Sequence, residues 1–486
     1  MSTTAHSILI IFTGLCLLTA AMGIHAYVSY QPELGLVYAA PGLDGSEQRQ
    51  SKTVVVTIGE LFERKLADDG IAFDDGEPWP GFRGPTRDNI AAAAPPLQTD
   101  WGTDGPQVIW RQSLGEGYAA PAIAYGRVYV LDHLEEEEAD ALRCFVLADG
   151  RELWRRGYRN PMRRNHGKSR TIPAVAENTV VTLGPQAHVM ASDAISGDFL
   201  WGCDLVREYG AEVPQWYSGQ CPLIDQGAAI LAPAGQEWLL LARDLRSGEV
   251  RWQLANTPGL KMSHGSVVPM CLHGVRQYVY AGIGGVVGVS EAGELLWCSR
   301  EWQPPVWAPS PVQLADNRIF LTAGYGAGSA LLEVVFQDGA WSARLLGRWK
   351  ATQAPACEQQ TPIYYQGMLF TIQPKDAGAL RAQLVAADPS QLPAVSASSG
   401  REQRFGIGPF LVADGCLWIV DDEGLLSVYR YQQGVFERLA SHRVLSGVDS
   451  WGPIAMADGL MIVRDDKAMA CLDLRRQSRL AVKNAP

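Results

Sequence analysis

The sequence predicts an all-β protein, an eight-bladed β-propeller of four-stranded blades that follows an N-terminal transmembrane helix or signal segment. Three observations lead to this prediction: eight proline-marked repeats, a turn-and-tryptophan motif within several repeats, and a composition rich in turn formers. The 486 residues include 50 Gly and 29 Pro, and 47% are hydrophobic while only 19% are charged. Such a chain can bury a large core between many tight turns, as all-β proteins do.

The chain starts with an uncharged apolar stretch, Ile8 to Ala26, close to the roughly 20 residues that span a bilayer as a helix. Residues 1–28 are therefore predicted to be a membrane anchor or a signal peptide. Ala21-Met22-Gly23 has the small-x-small pattern of a cleavage site, whereas residues 1–7 lack the Lys and Arg of a signal peptide. Both alternatives put the protein on the periplasmic or extracytoplasmic side, either anchored in the inner membrane or secreted.

Residues 29–78 are predicted to form a stalk that contains one short strand and one short helix. Val54 to Val56 is a β-branched run typical of a strand. Thr57 followed by Glu60 forms a capping box, which predicts that a helix begins there. One side of this helix would carry Leu61, Phe62 and Leu66.

Residues 79–486 are predicted to be the propeller, because a repeat with a proline or small-residue step, two β runs and a turn recurs along them. The mean spacing of its marker prolines is about 47 residues, and a propeller blade takes roughly 40 to 50 residues. The markers are Pro121, Pro173, Pro222, Pro269, Pro311, Pro362, Pro409 and Pro453. Eight markers predict eight blades.

Two repeats contain the pattern A-x-D-x-x-S-G-x-x-x-W, at residues 191–201 and 242–252. With this motif the sequence resembles the quinoprotein-like (PQQ-like) repeat family, and is similar to the BamB-like propellers of outer-membrane-protein assembly factors. The resemblance implies that each tryptophan wedges between neighbouring blades. Weaker copies end at Trp154 and Trp297, and blades five to eight lack a clean copy.

An open ring would leave exposed strand edges, so the ends of the chain should close it. Val108-Ile109-Trp110 is a strand with no preceding strands of its own, and the final repeat, Pro453 to Leu474, lacks a terminal Trp strand. We therefore predict that Val108 to Gln112 completes the eighth blade. Residues 79–84 resemble the lead-in found before many bacterial propellers of this type.

Several function classes are disfavoured by composition and motifs. The net charge of −11 provides no broad positive field for nucleic acid. The nine cysteines form no CxxC or CxxCH pattern, so metal-thiolate sites and covalent haem sites lack support. The hydrolase motifs G-x-S-x-G and H-E-x-x-H are also missing from the sequence. One basic cluster, Arg155 to Arg170, could bind an anion or could balance acidic loops such as Glu135 to Glu138.

The residues just before the marker prolines should face one another, because the segments that enter the innermost strands of a propeller converge on one mouth of its channel. These residues either form a binding site or simply fill and hydrate the funnel. The candidates are Arg170, Gln220, His264, Trp307, Glu358, Gln359, Gln360, Arg404, Asp449 and Trp451, with Lys375 and Asp376 from a nearby loop.

The resemblance implies either quinone-dependent dehydrogenases or cofactor-free scaffolds, because the family contains both. For an enzyme, the cofactor would be PQQ with calcium, and Asp449 or Glu358 would be the base that removes a hydroxyl proton. The residues predicted to bind the cofactor are Arg170, His264, Trp307, Gln359, Gln360, Lys375, Arg404 and Trp451. No metal ligand is assigned.

A scaffold is the leading prediction, because the sequence departs from the enzymes of the family. It has no adjacent cysteine pair, and the region after Trp79 leaves little room for cofactor-covering insertions. We therefore expect a binding or protein-interaction scaffold in the cell envelope, with an envelope protein or a small anionic ligand as partner. The alternative is a PQQ-dependent dehydrogenase of alcohols or sugars.

Overall fold

The computed structural model describes residues 13–23, 25, 61–66, 76–92 and 94–476. It divides into two units, Met1–Val55 and Val56–Pro486, and each is described by itself. In the first unit, residues 13–23 form helix α1. Within the described ranges, no helix combines the length and the apolar character needed to cross a bilayer. The predicted segment Ile8 to Ala26 lies partly outside these ranges, and Val54 to Val56 lies wholly outside them.

The second unit contains eight separate β-sheets, each with at least four strands, and this confirms the predicted eight-bladed propeller. The innermost strands of several neighbouring blades contact one another, including those of the last and the first blade. Inner strands are buried on both faces because each sheet packs between two neighbours. All eight residues of Arg127–Leu134 are buried, whereas residues of the outer strand Ala340–Trp349 alternate between exposed and half-buried.

The strands of the first four blades follow chain order, except for one added strand. Blade 1 contains β1 (Leu61–Lys65), β4 (Ala122–Ala124), β5 (Arg127–Leu134), β6 (Ala139–Val146) and β7 (Glu152–Arg159). Blade 2 contains β8 (Ala174–Ala176), β9 (Thr179–Leu183), β10 (His188–Asp193) and β11 (Phe199–Asp204), which leads into helix α2 (Leu205–Tyr209). Blade 3 contains β12 (Leu223–Asp225), β13 (Ala228–Leu231), β14 (Trp238–Asp244) and β15 (Val250–Ala255). Blade 4 contains β16 (Val268–Leu272), β17 (Val275–Gly282), β18 (Gly285–Ser290) and β19 (Leu295–Ser299).

The last four blades include two strands that come from far earlier in the chain. Blade 5 contains β20 (Val312–Gln313), β21 (Arg318–Ala323), β22 (Gly328–Gln337) and β23 (Ala340–Trp349). Blade 6 contains β24 (Ile363–Tyr365), β25 (Met368–Ile372), β26 (Leu384–Ala387) and β27 (Ala397–Ser398), with 3-10 turns at Gly378–Leu380 and Pro389–Gln391. Blade 7 contains β2 (Ile90–Ala91), β28 (Phe410–Ala413), β29 (Cys416–Val420), β30 (Leu425–Gln432) and β31 (Val435–Arg443). Blade 8 contains β3 (Gln107–Ser113), β32 (Ala455–Ala457), β33 (Leu460–Arg464) and β34 (Ala468–Asp473).

Blade 8 closes the ring as predicted. Strand β3 pairs antiparallel with β34, so a strand that precedes all the proline-marked repeats forms the outer edge of the last blade. This confirms that Val108 to Gln112 completes the eighth blade. Closure joins the two ends of the repeat region through backbone hydrogen bonds, which removes the exposed strands of an open ring.

The docking tryptophans cross from one blade to the next. The indole Nε1 groups of Trp110, Trp154 and Trp201 donate to backbone carbonyls of the following blade at 2.7, 2.9 and 2.9 Å. A β-bulge next to Trp154 and Trp201 adds one residue to the outer strand, and such bulges bend and twist a strand. Trp297 differs, because its Nε1 donates to Gln277 within its own blade.

The turn that receives Trp201 is an Asx turn formed by the Asp of the motif. The Asp244 carboxylate accepts hydrogen bonds from the backbone amides of Arg246 and Ser247 at 3.1 and 2.9 Å. Gly248 then has a φ of 73°. The ring of Trp201 lies so close that a Cβ on Gly248 would be 2.5 Å from it. Glycine is therefore required here both by the backbone conformation and by the packing.

Gly248→Ala is expected to lower the free energy of unfolding by about 2–4 kcal/mol, because it adds left-handed strain and a clash with Trp201. Urea unfolding measures this change. Gly434→Ala is the matched control, since Gly434 has a φ of 79° with open space around it, and it should cost only about 1 kcal/mol. Equal losses in the two variants would contradict the docking role of Trp201.

The segment before the propeller differs from the sequence prediction. Leu61 and Phe62, expected on a helix, lie in strand β1, which pairs antiparallel with the outer strand β7 of blade 1. Phe62 packs against Gly157, where a Cβ would be 2.5 Å from its ring. The capping box itself, Thr57 and Glu60, lies outside the described residues. From Leu61 onward, the backbone hydrogen bonds offered by the open edge of β7 outweigh the local helix signal.

The lead-in at residues 79–91, the channel segment, runs across the central channel. It contacts the inner edges of five blades, and its last two residues, β2, pair in parallel with the innermost strand of blade 7. Its hydrogen-bonded contacts are Trp79 with Ile123, Pro80 with Val175, Arg87 with Ile224, Arg83 with Pro362 and Asn89 with Phe410. The channel segment thereby ties together blades that are far apart in sequence.

Candidate functional site

A cavity of about 750 Å³, the funnel cavity, lies where the loops before the marker prolines converge. Phe82 of the channel segment lines it from below and packs against Ala120, Ile172 and Cys221. Eight of the predicted site residues line it together: Arg170, His264, Glu358, Gln359, Gln360, Lys375, Arg404 and Trp451. Because these loops converge at one mouth of the central channel, most of the candidate residues lie around one cavity.

Four predicted residues do not line the funnel cavity. Trp307 is fully buried and packs edge-on against Trp302, with ring centroids 5.1 Å apart, so its face is unavailable to a ligand. Gln220 is buried and exchanges two hydrogen bonds with the backbone of Ala232. Asp449 lies behind Tyr118, whose hydroxyl donates to it at 3.4 Å. Asp376 also lies outside the lining.

One wall of the cavity is an aromatic stack that sequence reasoning missed. Trp216 stacks on Tyr325 with centroids 5.5 Å apart and an interplanar angle of 15°, and on His264 at 6.3 Å and 28°. Trp216 and Tyr217 have φ values of 69° and 72°, which bulky side chains rarely adopt. Such backbone persists only when its surroundings hold it, and it is frequent at ligand sites.

The opposite wall is a second aromatic pair, Tyr118 and Trp451, with centroids 5.0 Å apart. The Trp451 indole donates to Asp422 Oδ1 at 2.9 Å, which orients the ring. Burial, followed by the charge of Asp449, raises the pKa of Tyr118 to about 12. Tyr118 is therefore a neutral phenol at ordinary pH, and this wall contributes a flat, uncharged surface.

Arg170 joins the two walls. Its Nε donates to the carbonyl of Trp216 at 2.6 Å, and its guanidinium lies 5.9 Å from the centre of the Tyr118 ring. Its Nη2 donates to the carbonyls of Asn165 and His166. Among the described residues, no carboxylate forms an ion pair with this half-buried guanidinium. Burial lowers the pKa of Arg170. Arg170 is thus a positive charge that a bound anion could neutralise.

The charges around the cavity favour an anion. Four cations line it against two carboxylates, although the whole chain has a net charge of −11. Lys375 pairs with Glu358 at 3.1 Å and also lies 5.3 Å from the ring centre of Tyr325. The remaining cations, Arg381 and Arg404, are exposed. The surplus of positive charge is therefore local, in a protein that is otherwise acidic.

His264 is uncharged in the folded protein. Burial, and then the nearby charge of Arg170, lowers the pKa of its imidazole to about 4. An unfolded histidine titrates near pH 6.5. Between these values the unfolded chain binds more protons than the native protein does, so stability is fully present above pH 6.5 and is lost as the pH falls toward 4.

His264→Gln is expected to remove part of this acid sensitivity, on the order of 2 kcal/mol between pH 7.5 and pH 4.5. The measurement is the free energy of unfolding in urea at both pH values, for the native sequence and the variant. The variant should lose less stability on acidification because glutamine does not titrate. An identical loss in both proteins would show that His264 is not the responsible group.

The lining of the funnel cavity includes a cysteine and two carboxylates. Cys221 lines it, but burial raises the pKa of its thiol to about 11, so it is not a thiolate at neutral pH. Glu358, one of the two predicted bases, is held by Lys375, and the other, Asp449, lies outside the lining.

The PQQ and calcium implied by the resemblance fit only in part. The cations and aromatic rings suit a carboxylated ring system, but calcium takes roughly six to eight oxygen ligands. Glu358 is paired with Lys375, and Asp422 accepts from Trp451 and from the amide of Ile407. Within the described ranges, no three His, Cys, Asp or Glu side chains cluster as a metal site. Both carboxylates of the lining are therefore already engaged by other groups.

A positional signal could have identified part of the lining from sequence. The residue three positions before the marker proline lines the cavity in seven of the eight blades. This position includes Tyr118, Arg170 and Gln359, and it would have added Tyr118 to the candidates. Trp216 and Tyr325 follow no such offset, because they lie in loops of individual length.

The rest of the basic cluster from Arg155 to Arg170 is mostly balanced by acidic neighbours. Lys168 pairs with Glu135 at 2.6 Å, and Arg159 pairs with Glu138 at 3.0 Å. Arg164 pairs with Glu116 at 2.7 Å. The interpretation as a loop that balances acidic neighbours is confirmed for these residues, and Arg170 is the member that faces the cavity.

The chain was compared with known proteins. The family model described as outer membrane protein assembly factor BamB matches residues 86–201 and 138–326. BamB from Moraxella catarrhalis is 12% identical, with 76% of this chain and 100% of that chain covered at a TM-score of 0.50. The quinohemoprotein alcohol dehydrogenase from Comamonas testosteroni is 10% identical, with coverages of 83% and 81% and a TM-score of 0.45. No curated protein sequence matches significantly. The family-model match and the likeness to the BamB structure confirm the resemblance and the fold.

Proposed function

Because the chain has the repeats of the BamB-type quinoprotein-like family model, we propose that it is a binding scaffold of the cell envelope. Its funnel cavity would hold a small anionic ligand with a flat apolar part. The observation that carries this proposal is Arg170, a half-buried guanidinium between two aromatic walls, with no carboxylate partner among the described residues.

Each part of the cavity has a role in this proposal. Arg170 would form charge-assisted hydrogen bonds with the anionic group of the ligand. The aromatic surfaces of Trp216 and Trp451 would contact the flat part of the ligand. The exposed Lys375, Arg381 and Arg404 would attract the anion to the mouth, an effect that salt weakens.

The test is a titration of the purified full chain with naphthalene-2,6-dicarboxylate, a flat aromatic dianion, followed by tryptophan fluorescence and calorimetry. The uncharged naphthalene-2,6-dimethanol is the control. We expect the dianion to bind about 10- to 100-fold more tightly, the value of charge-assisted hydrogen bonds of roughly 1.5–3 kcal/mol. Equal affinities for the two compounds would overturn an anion site.

The same preparation distinguishes a scaffold from a PQQ-dependent dehydrogenase. It is titrated with calcium and PQQ while cofactor absorbance and the reduction of a dye by alcohols or aldoses are followed. A scaffold predicts no turnover. Dye reduction that depends on PQQ and on substrate would replace the present proposal with the oxidoreductase.

Two parts of the proposal concern the envelope. The N-terminal segment, Ile8 to Ala26, would anchor the protein or direct its export, and mass spectrometry of the mature N-terminus separates these outcomes. A partner protein in the envelope would be recovered by crosslinking in cells followed by affinity purification. An uncleaved protein confined to the soluble cytoplasmic fraction would contradict an envelope function.

A further inference from the structure

A second and much smaller void, of about 10 Å³, lies on the other side of Phe82, which lines both this void and the funnel cavity. Arg83 and Arg87 of the channel segment line it together with residues 221–223 and 266–268 at the starts of blades 3 and 4. Its volume gives room for the centre of about one water-sized particle.

Arg83, one of the residues that line this void, is a buried cation that is only 6% exposed. Its Nε donates to the carbonyl of Arg87 at 3.0 Å, and its Nη2 donates to the carbonyls of Asp88 and Pro362, each at 2.9 Å. Its Nη1 is buried and has no hydrogen-bond partner among the described residues. One donor of the guanidinium therefore remains unused, and such a buried group is costly.

The carboxylates near the two arginines are engaged elsewhere. Asp88 accepts from the Thr86 hydroxyl and from the amide of Ile90. Asp225 accepts from Arg276 at 2.7 Å and from the Tyr278 hydroxyl at 2.8 Å. In the part of the chain that the structure describes, neither Arg83 nor Arg87 forms an ion pair.

The energetic consequence is a surplus of buried positive charge. Burial lowers the pKa of both Arg83 and Arg87 to about 10, so both remain cations at neutral pH. A water molecule could satisfy the hydrogen bond of Nη1 but could not neutralise this charge. An anion could do both, and buried charges in proteins are generally paired.

We propose that this void is a binding site for one small monovalent anion of about the size of chloride, held by Arg83 Nη1 and neutralised jointly with Arg87. A polyatomic oxyanion exceeds the space. The anion would stabilise the channel segment and thereby the ring of blades. The void shares Phe82, Cys221 and Ser266 with the funnel cavity, but Arg83 and Arg87 line only the void, so this proposal does not depend on what the funnel cavity binds.

The first test measures thermal unfolding of the full chain in sodium chloride and in sodium gluconate at equal ionic strength. We expect the unfolding midpoint to be roughly 2–4 °C higher in chloride. Arg83→Met should abolish this difference. A native protein that is insensitive to the anion, or an Arg83→Met variant that keeps the difference, would overturn the proposal.

Arg464→Met is the matched control, because Arg464 is equally buried but donates to the carbonyls of Asp465 and Ala119 and has no orphaned nitrogen. This variant should be less stable yet retain the chloride effect. The second test needs no variant: crystals grown in bromide should show an anomalous peak beside Arg83 Nη1. Density for a water without anomalous signal at that position would overturn the anion site.

Discussion

Arg170→Gln is expected to weaken binding of naphthalene-2,6-dicarboxylate by about 10- to 100-fold, because it removes the half-buried cation that would face the anionic group. Glutamine keeps a donor near the position of the arginine Nε but has no guanidinium, so the loss reports on removal of the charged group. The measurement is the dissociation constant from tryptophan fluorescence. Affinity for the uncharged naphthalene-2,6-dimethanol should change little, because this compound makes no ion pair.

Arg159→Gln is the control for the basic cluster. Arg159 belongs to the same stretch of sequence, but it is exposed and pairs with Glu138 outside the funnel cavity. Its replacement should change the affinity for the dianion less than twofold, since exposed charges are screened. A large loss from Arg159→Gln, or none from Arg170→Gln, would place the anion outside the cavity.

Trp110→Ala is expected to lower the free energy of unfolding by about 3–5 kcal/mol. Trp110 is 7% exposed and lies in the cluster of buried residues that joins blades 7, 8 and 1. Its indole donates to Leu147 at 2.7 Å, and its ring covers Gly150 of blade 1. The variant would leave a cavity at the seam where the ring closes. Urea unfolding of the full chain measures the loss.

Trp341→Ala is the matched control for Trp110. Trp341 is half-buried near the tip of the β22–β23 hairpin, where it packs on Phe336 at 4.6 Å between ring centroids and on His273 of blade 4 at 5.9 Å, away from the seam where the ring closes. Its replacement should cost about 1–1.5 kcal/mol, in line with its partial burial. A Trp110→Ala protein that is no less stable than Trp341→Ala would show that closure does not depend on the docked ring.

The blades themselves were predictable from sequence because they depend on local signals that repeat. A proline before an innermost strand, and an Asx turn followed by glycine and tryptophan, each specify a local geometry wherever they occur. The closing strand β3 was predictable by elimination, since a strand without partners and a blade without an outer strand need each other. The convergence of eight of the candidates on one cavity followed from the same repeat.

The positions of side chains around the cavity were less predictable. Trp307 was expected at the mouth because of its place in the repeat, but it packs against Trp302 in the core between blades. Trp216 lies in the aromatic wall and belongs to a loop in which its own backbone has a positive φ. A local pattern does not reveal which of two nearby tryptophans turns inward, since packing against distant residues decides it.

The sequence by itself determined the all-β class, the blade count, the closing strand and the region of the candidate site. Only the tertiary structure decided that residues 79–91 cross the channel, that Leu61–Lys65 is a strand, and that Arg170 lies between two aromatic walls. The repeats depend on interactions between residues within about one blade length of chain. The residue patterns that produce these interactions are visible in a single sequence. The channel segment and the walls instead depend on contacts between residues tens to hundreds of positions apart, which form only once the ring has closed.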